Sequence, residues 1–230
     1  LAATAGKPPP VVFSSSCAVF GIPEQLPLDE RSPKRPISPY GRSKLAAEWL
    51  LEDFGHAYGL RSVVLRYFNA AGADLAHGLG ELHQPETHLI PLAISAARGD
   101  GPLQVFGGDF DSPDGSAIRD FIHVCDLAEA HLLALDHLLA GGGSNDFNLG
   151  SGSGISVREL VQAVEAELRC PVPVHQAPRR PGDPAALVSD SSKAALVLGW
   201  HPQCSSLEQI VADADRKSTR LNSSHANISY

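Results

Sequence analysis

VVFSSS, residues 11–16, is the stretch that decides the fold, together with the two segments that follow it. Its apolar, β-branched start predicts a strand buried in a parallel sheet at residues 11–13, and this strand ends at three serines. Over residues 40–58, apolar residues recur at three- and four-residue spacing, which predicts an amphipathic helix that ends at Gly59. Residues 62–67 predict the next buried strand. A strand, a helix and a strand in this order predict a right-handed parallel crossover, so we expect an α/β fold with a doubly wound parallel sheet.

The rest of the chain continues to alternate between strands and helices. The strand at 118–124 is apolar but carries Arg119, Asp120 and His123, and charged groups inside an apolar strand need polar partners. The segment 217–230 is polar and lacks helical periodicity, so we expect a non-native or disordered tail there. Further strands are predicted at residues 103–106, 147–149 and 172–176, and further helices at 89–98, 126–139, 156–168, 192–198 and 206–215.

The composition argues against several classes of protein. The 230 residues are 43% hydrophobic, which is too apolar for intrinsic disorder, and no apolar run approaches the roughly 18 residues of a membrane-spanning helix. A net charge of −8 with scattered arginines argues against a nucleic-acid partner. The four cysteines are widely spaced and form no C-x-x-C pair, so we expect no metal site, no disulfide framework and a cytoplasmic location.

Tyr40 and Lys44 form the candidate catalytic pair. They stand four residues apart near the start of the predicted helix, so both side chains project from one helix face. A fixed ammonium beside a phenol stabilises the phenolate, which makes Tyr40 a candidate general base. Ser16 follows the first strand, and ligands of open α/β sheets bind at the carboxyl ends of strands. Ser16 is therefore the third candidate catalytic residue.

These residues and their flanks resemble a known family. The segments FSSSCAVFG at residues 13–21, YGRSK at 40–44 and LRYFN at 65–69 resemble the serine and Tyr-x-x-x-Lys regions of the extended short-chain dehydrogenases/reductases. Within that family, DGSAIRDFIHV at residues 114–124 and APRRPGD at 177–183 are similar to segments of the UDP-glucose 4-epimerases. The resemblance implies a Rossmann-like sheet that binds NAD, with a smaller α/β domain for the UDP-sugar.

The resemblance also implies a role for each site residue. Ser16, Tyr40 and Lys44 are the catalytic residues, and Ser14 and Tyr67, with Tyr40 and Lys44, contact NAD. His88 stands where the family has an asparagine that contacts UDP, whereas the leucine that follows it is retained as Leu89. No metal ligand is implied. The residues implied to contact the substrate, besides Ser16, are Asn69, His88, Leu89, Leu103, Val105, Phe106, Arg119, Arg180, Asp183 and Leu187.

The same resemblance divides the chain. Residues 1–72 correspond to the carboxyl-terminal part of the NAD-binding Rossmann domain and carry the catalytic residues. Residues 73–216 correspond mainly to the UDP-sugar-binding domain, with residues of about 118–150 returning to the Rossmann sheet. The family begins with a strand and a G-x-x-G-x-x-G turn that seats the NAD pyrophosphate. Because no such turn occurs before residue 11, we expect an amino-terminal truncation.

The implied activity is the interconversion of UDP-glucose and UDP-galactose by transient oxidation at C4 with tightly bound NAD. A homodimer is also implied, since the helix at 40–58 belongs to the family's dimer interface, where Trp49 and Phe54 are candidates for either dimer or intrachain contacts.

Epimerases of UDP-N-acetylglucosamine or UDP-xylose are alternatives, because Leu187 is intermediate in size at the position that governs N-acetyl access. A sugar-nucleotide 4,6-dehydratase requires an Asp-Glu pair where this chain has Cys-Ala at 17–18. The non-enzymatic alternative is an inactive fragment that only binds nucleotide sugar.

Overall fold

The computed structural model describes residues 8–226 of the chain, and side chains as far as Lys217. In chain order, the strands are β1 (Val11–Ser16), β2 (Ser62–Tyr67), β3 (Asn69–Ala71), β4 (Ala73–Asp74), β5 (Leu79–Gly80), β6 (Leu103–Phe106), β7 (Ile118–His123), β8 (Asn145–Leu149), β9 (Gly154–Ser156), β10 (Val174–Ala177) and β11 (Ala186–Leu187). The helices are α1 (Pro39–Tyr58), α2 (Leu89–Ala97), α3 (Val124–Leu139), α4 (Val157–Leu168), α5 (Ser192–Leu198) and α6 (Leu207–Ala226).

The first sheet is parallel and has the strand order β1-β2-β8. Val63 and Leu65 of β2 point into a core shared with Leu127 and Ala134 of α3. Arg66, which alternates with them along the strand, reaches the opposite face and meets α1. Helices therefore cover both faces of a parallel sheet, which confirms the predicted doubly wound α/β fold.

The second half of the chain builds smaller sheets and a helical layer beside this sheet. Strands β6 and β10 pair in parallel, and β7 lies between β3 and β11 with the antiparallel strand β9 also paired to it. Helices α2, α4 and α6 share one core that contains Ile94, Leu160 and Ile210. Among the described residues, no helix is both long enough and apolar enough to cross a membrane.

Several element boundaries differ from those predicted. Strand β1 continues through the three serines, because their backbone pairs in register with residues 65–67 of β2. Strands β3, β4, β5, β9 and β11 are too short to show a periodicity in sequence, and their pairing depends on distant partners. Helix α6 runs to Ala226 and so extends into the predicted tail. Residues 227–230 of that tail lie outside the described residues, and its non-native or disordered character stays a prediction.

Helix α1 ends at Tyr58 as predicted and begins at Pro39, one residue before the predicted start. The Ser38 hydroxyl accepts a hydrogen bond from the Gly41 amide, and Gly59 adopts a left-handed conformation with φ of 68°. The inner face of α1, however, contains only part of its apolar pattern: Leu45 is buried at 4% exposure. Trp49 is 58% exposed, whereas Glu48 is buried at 7% exposure. The apolar spacing predicted the helix correctly but identified only part of the side that packs inward.

Candidate active site

A cleft of about 1050 Å³ opens at the carboxyl ends of β1 and β2. Its volume is that of a pocket for a sizeable small molecule. Of the predicted site residues, Ser14, Lys44 and Leu187 lie outside its lining. Those that line it are Ser16, Tyr40, Tyr67, Asn69, His88, Leu89, Leu103, Val105, Phe106, Arg119, Arg180 and Asp183. Residues that are up to 167 positions apart in the sequence thus meet around one space.

Lys44 lies beside both the predicted base and the end of the first strand. Its ammonium nitrogen donates a hydrogen bond to the Ser14 carbonyl at 2.9 Å and lies 5.6 Å from the centroid of the Tyr40 ring. Tyr40 is 53% exposed, so its phenol is accessible from the cleft. The Ser16 hydroxyl accepts from the Ala18 amide at 3.2 Å, and this bond caps a 3-10 turn at Cys17–Val19. The backbone of β1 thereby positions both Lys44 and Ser16.

His131 of α3 contacts two of the predicted cofactor residues and was not predicted from the sequence. Its Nδ1 atom lies 2.7 Å from the Leu127 carbonyl, and its Nε2 atom lies 2.9 Å from the Ser14 hydroxyl. A carbonyl only accepts, so Nδ1 carries the hydrogen and, in the neutral ring, Nε2 accepts from the Ser14 hydroxyl. The His131 ring also lies 6.4 Å from the Tyr67 ring. No motif marks His131, because its role depends on the packing of α3 against β1.

Two pairs of residues predicted to bind the substrate contact each other across the cleft. Arg119 forms an ion pair with Asp183, and both side chains are largely buried. The Arg180 guanidinium carbon lies 3.8 Å from the centroid of the Phe106 ring, which is a cation–π contact. Both arginines thus point into the same region, where a ligand that carries a diphosphate and a base would compete for these contacts.

Asp120, next to Arg119 in β7, is a structural residue and not the arginine's ion-pair partner. Its carboxylate accepts hydrogen bonds from the Ser151 amide and hydroxyl at 2.8 and 2.7 Å, the Gly152 amide at 3.1 Å and the Ser189 amide at 3.0 Å. Burial raises the pKa of Asp120, although these hydrogen bonds oppose the shift. The carboxylate therefore ties the loop after β8 and the segment after β11 to the strand that carries Arg119.

A buried ion pair supports the helix that carries Tyr40 and Lys44. Arg66 of β2 and Glu48 of α1 are 3% and 7% exposed, and the Arg66 Nη2 atom lies 2.8 Å from Glu48 Oε2. The Ser15 hydroxyl donates to Glu48 at 2.6 Å, and Asp146 of β8 binds Arg66 at 2.7 Å. This network joins all three strands of the first sheet to α1.

Among the other predicted contacts, Leu187 lies outside the lining of the cleft. Leu103 and Val105 are buried at its wall in β6, whereas the Asn69 amide nitrogen donates to the Asp120 carbonyl at 2.8 Å. Leu187 pairs with Arg119 in the register of β11 on β7 and packs against the core beside Cys17. It therefore lies beside Arg119 on the neighbouring strand.

A parallel α/β sheet with a polar cleft at the carboxyl ends of its strands defines a Rossmann-like protein. Residues 1–150 match the model of the NAD dependent epimerase/dehydratase family. The chain belongs to that family.

Relatives and solved structures agree with this assignment. The chain is 53% identical over 194 residues to a protein of Rhizobium meliloti named UDP-glucose 4-epimerase, and the match covers 84% of this chain and 59% of the relative. It is similar to the UDP-glucose 4-epimerase of Brucella ovis in complex with NAD, with a TM-score of 0.87, 52% identity, and 90% of this chain and 64% of that chain covered. The Bifidobacterium longum UDP-glucose 4-epimerase in complex with NAD+ and UDP gives a TM-score of 0.86 at 39% identity, covering 92% and 64% of the two chains. The chain thus spans less than two thirds of the length of these relatives.

Proposed function

We propose that the protein containing this chain interconverts UDP-glucose and UDP-galactose by transient oxidation at C4 with tightly bound NAD. The observation that carries the proposal is the position of the Lys44 ammonium, 5.6 Å from the centroid of the Tyr40 ring, with Tyr40 and Ser16 lining one cleft. Two arginines, Arg119 and Arg180, line the same cleft and supply the positive charge that a diphosphate requires. The relatives named above act on or bind such ligands, which supports the choice of substrate.

The described residues fit the nicotinamide end of NAD. Tyr40 and Tyr67 line the cleft at the carboxyl ends of the strands, and Lys44 contacts both Tyr40 and the Ser14 carbonyl. We propose that these four residues contact the cofactor. When bound, NAD supplies a reversible hydride acceptor for C4 of the sugar. The contact between Ser14 and His131 fixes the edge of the site against α3.

The proton transfer is assigned to the chain's own residues. The Tyr40 phenolate oxygen would take the proton of the C4 hydroxyl, and the Lys44 ammonium would stabilise its negative charge. The Ser16 hydroxyl would hydrogen-bond the C4 oxygen as a hydroxyl and then as a ketone. The same phenol returns the proton after the sugar has turned, so the configuration at C4 inverts without net oxidation.

Inversion requires that the nucleotide be held while the hexose turns. We propose that Arg119, Arg180 and Asn69 hold the diphosphate and that Asp183 and Phe106 hold the uridine. The ion pair between Arg119 and Asp183 and the contact between Arg180 and Phe106 would then open as the ligand replaces them. Leu89, Leu103 and Val105 would form the apolar wall beside the base.

The test is turnover of UDP-galactose to UDP-glucose by the full-length gene product that contains this chain. Tyr40→Phe removes the proton acceptor and should abolish turnover while UDP affinity stays within about twofold. Tyr58→Phe, an exposed tyrosine at the other end of α1, is the matched control and should retain full activity. Turnover by Tyr40→Phe at the rate of the control would refute the proposal. The same assay with UDP-N-acetylglucosamine and UDP-xylose as substrates distinguishes this reaction from the 4-epimerisation of those two UDP-sugars.

We further propose the division of the chain into a catalytic segment at 1–72, a mainly UDP-sugar-binding segment at 73–216 and a tail at 217–230. In support, β8 pairs with β2, as expected if residues of about 118–150 return to the first sheet. We expect the 230-residue chain alone to have little activity. Recovery of one equivalent of NAD with it would contradict that expectation.

A homodimer is proposed from the outer face of α1. Trp49 and Leu50 are each 58% exposed although both are apolar, and Phe54 is partly buried with its ring 5.3 Å from that of Tyr58. Exposed apolar residues on one helix are typical of a protein interface. Trp49→Ala should weaken dimerisation in analytical ultracentrifugation.

A cytoplasmic location is also proposed, supported by four free cysteines.

A further inference from the structure

We infer that the mouth of the cleft holds a binding site for a divalent transition-metal ion such as Zn²⁺. Four side chains between β5 and α2 form it, and we call them the His/Glu cluster: Glu81, His83, Glu86 and His88. Each offers one ligand atom, and the four atoms lie within 4.8 Å of one another. This inference does not depend on the proposed epimerase reaction.

The kinds of ligand in the cluster select the metal. Two imidazoles and two carboxylates form a mixed nitrogen and oxygen set, which suits four-coordinate Zn²⁺ at distances of about 2.0–2.2 Å. Mg²⁺ and Ca²⁺ prefer oxygen ligands alone, so imidazoles argue against them. Because the four atoms are already close together, small side-chain rotations would bring them to one ion.

Two carboxylates lie close together in the cluster, and their negative charges favour a bound cation. Glu81 and Glu86 both approach Nδ1 of His88, the second at 3.1 Å, so two carboxylates converge on one imidazole nitrogen. A single proton on that nitrogen hydrogen-bonds well to only one carboxylate at a time. A divalent ion among the four groups would balance both negative charges.

The backbone around the cluster orients its ligands. Glu86 Oε1 accepts hydrogen bonds from the amides of Thr87 at 2.7 Å and His88 at 2.8 Å, which fixes the carboxylate. His88 is the N-cap residue of α2, but its side chain makes no capping hydrogen bond. The His83 and His88 rings lie 5.4 Å apart between centroids. The imidazole of His88 is therefore directed to the cluster and not to the helix end.

A bound ion would have two consequences at the cleft. It would link the segment 81–88, which lines the cleft mouth, to the start of α2, where Leu89 is a proposed UDP contact. It would also make His88 a metal ligand. This would explain why the chain has a histidine where the resemblance implies an asparagine in the family. His88 would then act on the substrate through the position of Leu89 and not by direct contact.

The test uses the full-length gene product that contains this chain, stripped of metal with a chelator and titrated with Zn²⁺ against a chromophoric competitor. We expect one tightly bound ion per chain, and an affinity about 100-fold lower in the double variant His83→Ala/His88→Ala. The matched control His56→Ala/His175→Ala removes two exposed histidines outside the cluster and should bind like the unsubstituted chain. Glu81→Gln keeps the side-chain size and should weaken binding by about tenfold.

Cobalt separates this site from adventitious binding to the cysteines. Co²⁺ in the His/Glu cluster should give the visible d–d bands of four-coordinate cobalt without the near-ultraviolet charge-transfer band of a cobalt–thiolate bond. Circular dichroism spectra of the metal-free variants should match that of the unsubstituted chain, because His83 and His88 are exposed. Absence of stoichiometric Zn²⁺ binding, equal affinity in the double variant, or a thiolate band would each overturn the inference.

Discussion

Lys44 is held by the backbone of Ser14, whose carbonyl accepts a hydrogen bond from the lysine ammonium at 2.9 Å. A lysine side chain is flexible in solution, but this bond anchors its charge to a strand of the sheet. The ammonium also lies 5.2 Å from the centroid of the Phe13 ring, which limits its movement on the other side. The cation beside Tyr40 is therefore part of the rigid frame of the site.

The first prediction concerns the buried pair between Glu48 and Arg66. Glu48→Gln leaves the Arg66 charge in the core with Asp146 as its remaining anionic partner. We expect the free energy of unfolding to fall by roughly 2 kcal/mol, because the buried Arg66 charge loses one of its two anionic partners and the charge-assisted hydrogen bonds to it. Urea denaturation measures this change. Glu52→Gln, an exposed glutamate on the same helix, is the control and should change stability by less than about 0.5 kcal/mol. Equal effects of the two substitutions would show that the pair does not support α1.

The second prediction concerns acid stability and Asp146. Burial disfavours the Asp146 carboxylate, but Arg66 and Lys193 outweigh burial and lower its pKa below the usual 3.8. A lowered pKa in the folded chain means that its stabilisation is present above the unfolded pKa and is lost as pH falls through the folded pKa. Asp146→Asn should therefore be less stable than the unsubstituted chain at pH 7, and the difference should shrink as pH falls below 3.8.

Denaturant unfolding at a series of pH values checks this sign. Asp53→Asn, which changes an exposed aspartate on α1, is the control. Its free energy of unfolding should differ little from that of the unsubstituted chain at every pH. A stability difference for Asp146→Asn that grows as the pH falls would contradict the assignment.

The third prediction concerns Cys17, which follows Ser16. Burial raises the pKa of the Cys17 thiol to about 12, so little thiolate exists near neutral pH. Cys17 should therefore react with iodoacetamide more slowly than Cys170, which is only partly buried, in the native chain at pH 7.5. Peptide mass spectrometry after timed alkylation measures both rates. All four cysteines should react at similar rates in guanidinium, and rapid native labelling of Cys17 would show that this part of the site opens.

Much of the fold followed from local sequence. Strands β2 and β6 and helix α5 have the predicted bounds, because their apolar runs and flanking residues agree with their tertiary environment. The capping box of Ser156 and Glu159 at the start of α4 involves only residues three apart, so it is visible in sequence. The short strands were missed because two or three residues carry no periodicity.

Less of the site could be predicted from sequence. Most of the site residues predicted from recognisable motifs line the cleft, and their roles stay predictions. The contact of His131 with Ser14 depends on how two distant elements pack, and no sequence pattern encodes it. The burial of Glu48 depends on Arg66, eighteen residues away on the facing strand. The His/Glu cluster has a visible signal, since four ligand-type residues occur within residues 81–88, but only the folded loop brings them together.

The central claim is that the Lys44 charge makes the Tyr40 phenol a competent proton acceptor, and the pH profile of kcat tests it most directly. Lys44→Met, measured in the full-length gene product, should move the acid limb of the profile to higher pH by about one unit or more, and Arg42→Met should leave it in place. Arg42 is an exposed cation on the same helix, so it controls for a general loss of charge. If Lys44→Met lowers kcat without moving the acid limb, or changes neither, the assignment of Lys44 and Tyr40 is contradicted.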